Sequence, residues 1–221
     1  MRLAMVGLGK MGLNMTKRLL KGRHRVVAYD EGAKPLAEAV RAGARGARSL
    51  EELVLGLARP RVVWLMLPAG KPVWRTVRQL GGLLDEEDLV IDGGNSHFKD
   101  AGEHARELGR RGVRFMDIGV SGGIWGLRDG YCLMAGGDKT SLRLALPALK
   151  TLAPEGGYAL LGPVGAGHFA KMAHNGIEYA LMQAYAEGFE LLRAGRFDID
   201  LRRICGLWNR GSVVRSWLLE L

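Results

Sequence analysis

The sequence predicts an α/β protein, with a doubly wound, mostly parallel sheet at its N-terminal end and an all-helical portion after it. Three observations predict this. The chain opens with a strand, a glycine-rich turn and a helix, in that order. Short apolar runs then alternate with helical patterns as far as about residue 162, the signature of βα units. From about residue 166 a helical period takes over entirely. The expected division is therefore 1–164 and 165–221.

Composition narrows the classes of function. The chain has 221 residues, 48% of them hydrophobic and 25% charged, enough for a sizeable core. No apolar run reaches the roughly 18 residues that a membrane span needs. MRLAMVGLG lacks the apolar region and small-residue cleavage site of a leader peptide. Cys132 and Cys205 are too few and too far apart to suggest a disulfide framework, so the cytoplasm is the expected compartment. The net charge of +9 favours anionic partners, whether nucleic acid, phosphorylated metabolite or nucleotide cofactor. The basic clusters at 17–25 and 109–114 carry no interleaved aromatics, which argues against nucleic acid.

The opening is the most informative stretch. Leu3 to Val6 reads as a strand, Gly7-Leu8-Gly9-Lys10-Met11-Gly12 as a turn, and the pattern through Leu20 as a helix. This is G-x-G-x-x-G in the setting that gives it meaning. Gly7 permits the tight turn, Gly9 lets a pyrophosphate approach the backbone, and Gly12 allows helix and strand to pack closely. The helix N-terminus then offers N–H groups to the anion. A second strand, RVVAY at 25–29, ends in Asp30, 18 residues beyond Gly12, near the spacing at which a carboxylate meets the adenosine ribose. A Rossmann-like dinucleotide-binding domain follows, with Gly7 to Gly12 and Asp30 as cofactor residues. Asp30 and Glu31 would repel a 2′-phosphate, and between Asp30 and Pro35 only Lys34 is cationic. NAD is the preferred cofactor on this reading, with NADP possible.

Further strands are expected at 61–70, 88–96 and 113–123, with helices at 34–43, 72–81 and 99–111. GYCLMAGG (130–137) and YALLG (158–162) are candidates to extend the same sheet. Ligands bind at the carboxyl ends of such strands, which selects Leu67 and Asn95 as cofactor contacts. It also selects Asn95, Ser121, Gly122 and Gly123 as substrate contacts, because glycines there let backbone N–H groups reach a carboxylate.

A helix is expected over about 166–194, long enough at about 43 Å to be a spine. Lys171, His174, Asn175 and Glu178 fall at i, i+3, i+4 and i+7, so they share one stripe. Lys and Glu on a helix ordinarily face water. Across the mouth of a dinucleotide site, however, Lys171 and Glu178 stand about 10 Å apart along the axis, with room for a small polyol. A lysine beside a hydride acceptor serves as a base, and a glutamate can return a proton. No metal-ligand spacing joins His174 to the other histidines. The chain stops inside an apolar helical run, so further chain or a partner subunit is expected to pack there, and a homo-oligomer (dimer or tetramer) is expected.

GLGKMG, DGGNS, FMDIGVSGG, GYCLMAGG and GAGHFAKMAHNGIEYALMQAYAEG, in that order, resemble the 6-phosphogluconate dehydrogenase family, and its shorter bacterial form most of all. The resemblance covers nearly the whole chain, and KMAHNGIEY is its most specific part. It implies oxidation of the C3 hydroxyl of 6-phosphogluconate with NAD(P), loss of C1 as CO₂, and formation of ribulose 5-phosphate in the pentose phosphate pathway. It further implies Lys171 as base and Glu178 as acid. His174 and Asn175 would bind substrate hydroxyls, Tyr179 the phosphate, and Asn95, Ser121, Gly122 and Gly123 the carboxylate end. Many members follow the second strand with Asn-Arg-Thr, which holds the NADP 2′-phosphate; here the stretch is Asp30-Glu31-Gly32. The family's other phosphate-binding residues fall beyond Leu221. The rival readings are a non-decarboxylating 3-hydroxyacid dehydrogenase, which needs no acid at Glu178, and a non-catalytic dinucleotide-binding module.

Overall fold

The computed structural model describes all 221 residues. Its elements run β1 (Arg2–Val6), α1 (Lys10–Lys21), β2 (Arg25–Tyr29), α2 (Ala33–Arg41), β3 (Arg45–Gly46), α3 (Leu50–Leu55), β4 (Val62–Leu65) and α4 (Lys71–Leu83). There follow β5 (Leu89–Asp92), α5 (Phe98–Gly109), β6 (Arg114–Ser121), a 3₁₀ turn (Gly123–Trp125), α6 (Gly126–Asp129), β7 (Cys132–Gly136), α7 (Lys139–Leu152) and β8 (Tyr158–Gly162). The remainder is α8 (Ala166–Ala194), α9 (Leu201–Trp208) and α10 (Trp217–Glu220). No helix is long and apolar enough to cross a membrane. The chain divides into two compact units, Met1–Met172 and Ala173–Leu221, and the division falls inside α8.

The first unit is the doubly wound sheet that the sequence predicts. Its eight strands stand in the order β3-β2-β1-β4-β5-β6-β7-β8. Neighbours from β3 to β6 are parallel. Alternate residues of each strand enter opposite cores, as the pleat requires. Leu3 and Met5 of β1 join one core with Leu13, Met15 and Leu19 of α1 and Ala145, Ala148 and Leu149 of α7. Ala4 and Val6 join the other with Leu53 of α3, Val73 and Val77 of α4, and Ala101 and Leu108 of α5. Both faces are thus covered, which is why the strands read as continuous apolar runs.

The two candidate strands at 130–137 and 158–162 extend the sheet, but β7 runs antiparallel to β6, while β8 is parallel to β7. The physical reason is chain length. Only ten residues, 122–131, join β6 to β7, whereas a parallel crossover needs about a dozen or more. The sequence reading also places no helix at 139–152. Asp138 caps α7 through Thr140 and Ser141 N–H, and Pro147 in its interior disguises the pattern.

The second unit is helical. Tyr185 donates its hydroxyl to Val214 O at 2.7 Å, and the Phe189 ring stacks on Tyr185 and Trp208. Asp200 and Ser216 cap the starts of α9 and α10.

Candidate active site

The strand order reverses around β1, which has β2 on one side and β4 on the other, and such a switch point opens a crevice at the carboxyl ends of the strands. The Gly7–Gly12 turn leaves β1 there. Gly7 holds a φ of +89°, and a Cβ on it would lie 2.5 Å from Met66 O, just beyond β4. Gly12 packs on the Gly7 carbonyl, with no room for a side chain. Gly9 differs: a Cβ there would meet no atom within 4 Å. The protein itself has no steric need for that glycine, so its openness fits the approach of a ligand. Gly9 caps α1 without a side-chain bond, and the first turn carries no acidic residue. These features suit a pyrophosphate.

Leu8 is buried, and its N–H donates to Asp30 Oδ2 at 2.6 Å. Gly32 N–H donates to Asp30 Oδ1 at 2.7 Å. Asp30 thereby locks the end of β2 to the glycine turn. Lys10 is exposed and Met11 half-buried at the start of α1. Leu67 lies half-buried after β4, and its carbonyl packs against Gly94, where a Cβ would stand 2.6 Å away.

Because β1, β4, β5 and β6 are parallel, the turns that follow them emerge at one edge of the sheet. After β5 come Gly93, Gly94 and the exposed Asn95, the turn being tied by Gly94 N–H to Asp92 Oδ1 at 3.0 Å. β6 ends at Ser121, and Gly122 and Gly123 follow, with a φ of +129° at Gly122.

Helix α8 is brought to this edge by a residue that sequence reasoning missed. The buried Asp117 carboxylate, in the middle of β6, accepts from Gly165 N–H at 2.6 Å and His168 N–H at 2.7 Å. It caps α8 from 48 residues upstream. His168 adds a bond between its Nε2 and Asp92 O at 3.1 Å. The start of α8 then presses so closely on β6 that Lys171 Cβ occupies the space a side chain on Gly119 would need. Gly119 stands two positions before Ser121, so Lys171 leaves the helix beside the Ser121–Gly123 turn.

In the second unit, His174 Nδ1 lies 3.6 Å from Glu178 Oε2 and 3.3 Å from Asn175 Oδ1. His174, Asn175 and Glu178 are half-buried, whereas Tyr179 is 67% exposed.

Two other missed residues tie α1 to the loop after β6. Asn14 Nδ2 donates to Ile124 O at 3.4 Å. Arg18 donates from Nε to Thr151 O at 2.9 Å and from Nη1 to Leu127 O and Arg128 O at 3.2 Å each. The only available signal was the polar face of α1, which any surface helix shows.

A Rossmann-like sheet with an open glycine turn at its switch point defines a dinucleotide-binding oxidoreductase, and the chain is an NAD(P)-dependent one. Residues 2–162 match the family model described as the NAD binding domain of 6-phosphogluconate dehydrogenase, and residues 167–221 match that of its C-terminal domain. The chain belongs to the 6-phosphogluconate dehydrogenase family. It is 45% identical over 223 residues to the NAD(+)-dependent, decarboxylating 6-phosphogluconate dehydrogenase of Haloferax volcanii, an alignment covering 100% of this chain and 73% of that protein. The structure is similar to Plasmodium falciparum 6-phosphogluconate dehydrogenase at a TM-score of 0.90 and 27% identity, over 100% of this chain and 50% of that one. It is also similar to 3-hydroxyisobutyrate dehydrogenase of Mycobacterium tuberculosis at a TM-score of 0.80 and 28% identity, over 98% of this chain and 72% of that one.

Proposed function

We propose that the protein oxidises 6-phosphogluconate at C3 and releases C1 as CO₂, giving ribulose 5-phosphate with NAD as the preferred acceptor. The observation that carries this reading is the seating of Lys171 on Gly119, beside the Ser121–Gly123 turn, in a chain of this family. The bound dinucleotide supplies the hydride acceptor. Gly7 to Gly12, Asp30, Leu67 and Asn95 hold it. Lys171 takes the C3 hydroxyl proton and then donates a hydrogen bond to the 3-keto oxygen, drawing off the electrons released as the C1–C2 bond breaks. Glu178 protonates the resulting enediol at the substrate's C2, the carbon that becomes C1 of ribulose 5-phosphate. His174 and Asn175 bind substrate hydroxyls, Ser121, Gly122, Gly123 and Asn95 the carboxylate end, and Tyr179 the phosphate. Exposed Ile177, Leu181, Met182 and Leu191 along α8 support a homo-oligomer.

The test is NADH formation from 6-phosphogluconate, with CO₂ measured in the same tube. Equal amounts of both are expected, and Lys171→Ala should abolish them while dinucleotide binding is kept. Oxidation without CO₂ would favour a 3-hydroxyacid dehydrogenase instead, and turnover unaffected by Lys171→Ala would remove its assigned role.

A further inference from the structure

The sequence between Asp30 and Pro35 contains no arginine, but the fold supplies one. Glu31, the residue after the locked Asp30, forms an ion pair with the Arg75 guanidinium from α4, 44 positions along the chain. Arg75 belongs to an exposed groove along α4 lined also by Lys71, Trp74, Arg78 and Gln79, in which the Arg78 guanidinium lies 5.6 Å from the centre of the Trp74 ring. Lys34 is exposed in the first turn of α2. The end of β2 is therefore not poor in cations. It has a guanidinium fork of the kind that grips phosphate, already engaged by a carboxylate.

We propose that the Glu31–Arg75 pair is the specificity-determining element for the adenosine end of the cofactor. Glu31 occupies the fork that would otherwise hold a 2′-phosphate, so the pair, rather than a lack of cations, turns the site toward the unphosphorylated ribose. This rests on the dinucleotide reading of the Gly7–Gly12 turn and deepens it. A 2′-phosphate brings close to two negative charges. To reach Arg75 it must displace the Glu31 carboxylate and then tolerate it as a neighbour. Both side chains are well exposed, at 63% for Arg75 and 70% for Glu31, so the effect is about tenfold rather than thousands-fold. A surface ion pair with no bearing on the ligand is the plain alternative.

The full chain with Glu31→Gln, with Arg75→Met and with both changes together decides between them, by direct binding of NADH and NADPH without substrate. Glu31→Gln should shift the ratio of the two affinities toward NADPH by about tenfold, and the shift should shrink as salt is raised from about 50 to 500 mM. Adding Arg75→Met should cancel it. An unchanged ratio in Glu31→Gln would overturn the proposal. So would an equal shift in the double variant, since Glu31 would then be acting by repulsion alone and Arg75 would be a bystander. Failure of the unsubstituted chain to bind either dinucleotide would instead overturn the cofactor reading, and this proposal with it.

Discussion

A single missing carbon determines where Lys171 can stand. Gly119 sits in mid-strand and its side of β6 is filled by Lys171 Cβ, with the Gly167 carbonyl 2.8 Å from where a Cβ would go. Neither neighbour is the loose end of a long side chain, so an added methyl must push the start of α8 off the sheet. Gly119→Ala is expected to lower kcat by at least about tenfold, because reacting groups displaced by about an ångström lose one to two orders of magnitude. Overpacking should also cost about 1–3 kcal/mol of stability. Steady-state kinetics beside thermal melting separate the two: a folded variant with normal dinucleotide affinity and unchanged kcat would show that the contact does not position Lys171. The stripe from Lys171 to Glu178 was legible in the sequence because helical spacing is local. Asp117, which fixes the start of α8, was not, because its partners Gly165 and His168 lie about fifty residues away.

Among the elements, α1 has two tasks. Its N-terminus faces the glycine turn, and one turn before its end Arg18 holds the carbonyls of α6 and α7. These belong to the last turns of those helices, whose oxygens lack helical partners. Arg18→Met should cost about 2 kcal/mol, since hydrogen bonds from a charged donor are worth about 1.5–3 kcal/mol each but this side chain is only partly buried. That corresponds to a melting temperature lower by about 4–8 °C. Because the released loop carries Gly122 and Gly123, KM for the sugar acid should rise several-fold more than KM for NAD, with partial recovery in Arg18→Lys. Equal changes in both would reduce Arg18 to a structural cap. Elements with local signals were legible in this way: β1, α1 and β2 follow from glycines and apolar runs. Elements whose signal is weak or interrupted were not, as with the two residues of β3, the six of α3, and α7 with Pro147 inside it. The direction of β7 depended on the length of a connection rather than on any residue in it.

At the scale of the whole molecule, one contribution to acid sensitivity is expected from a histidine packed as if it were apolar. His104 of α5 is buried between Trp74, at 4.4 Å between ring centres, and Phe115, at 5.9 Å, and neither of its ring nitrogens has a partner. Burial holds its pKa below the ordinary 6.5, opposed by the charges of Asp92, Asp100 and Glu103, with His168 acting in the same direction as burial. The unfolded chain therefore takes up a proton that the folded chain refuses. The stability this gives is complete above pH 6.5 and is lost as pH falls through the lower folded value. His104→Phe should flatten the fall in melting temperature between about pH 6.5 and 5. It should not remove the fall, because His24 is also held low by burial and by the N-terminal charge. An unchanged slope would place the acid sensitivity elsewhere. The clamp of Asp117 on α8 has a different consequence, one of counting. A helix fixed at its first turn is indexed from that origin, so the bearing of Lys171 depends on how many residues precede it. One residue inserted after His168 would swing Lys171 by about 100° and advance it by about 1.5 Å. A different side chain at position 171 changes the chemistry done at that place, whereas a change in the number of residues before it moves the place itself.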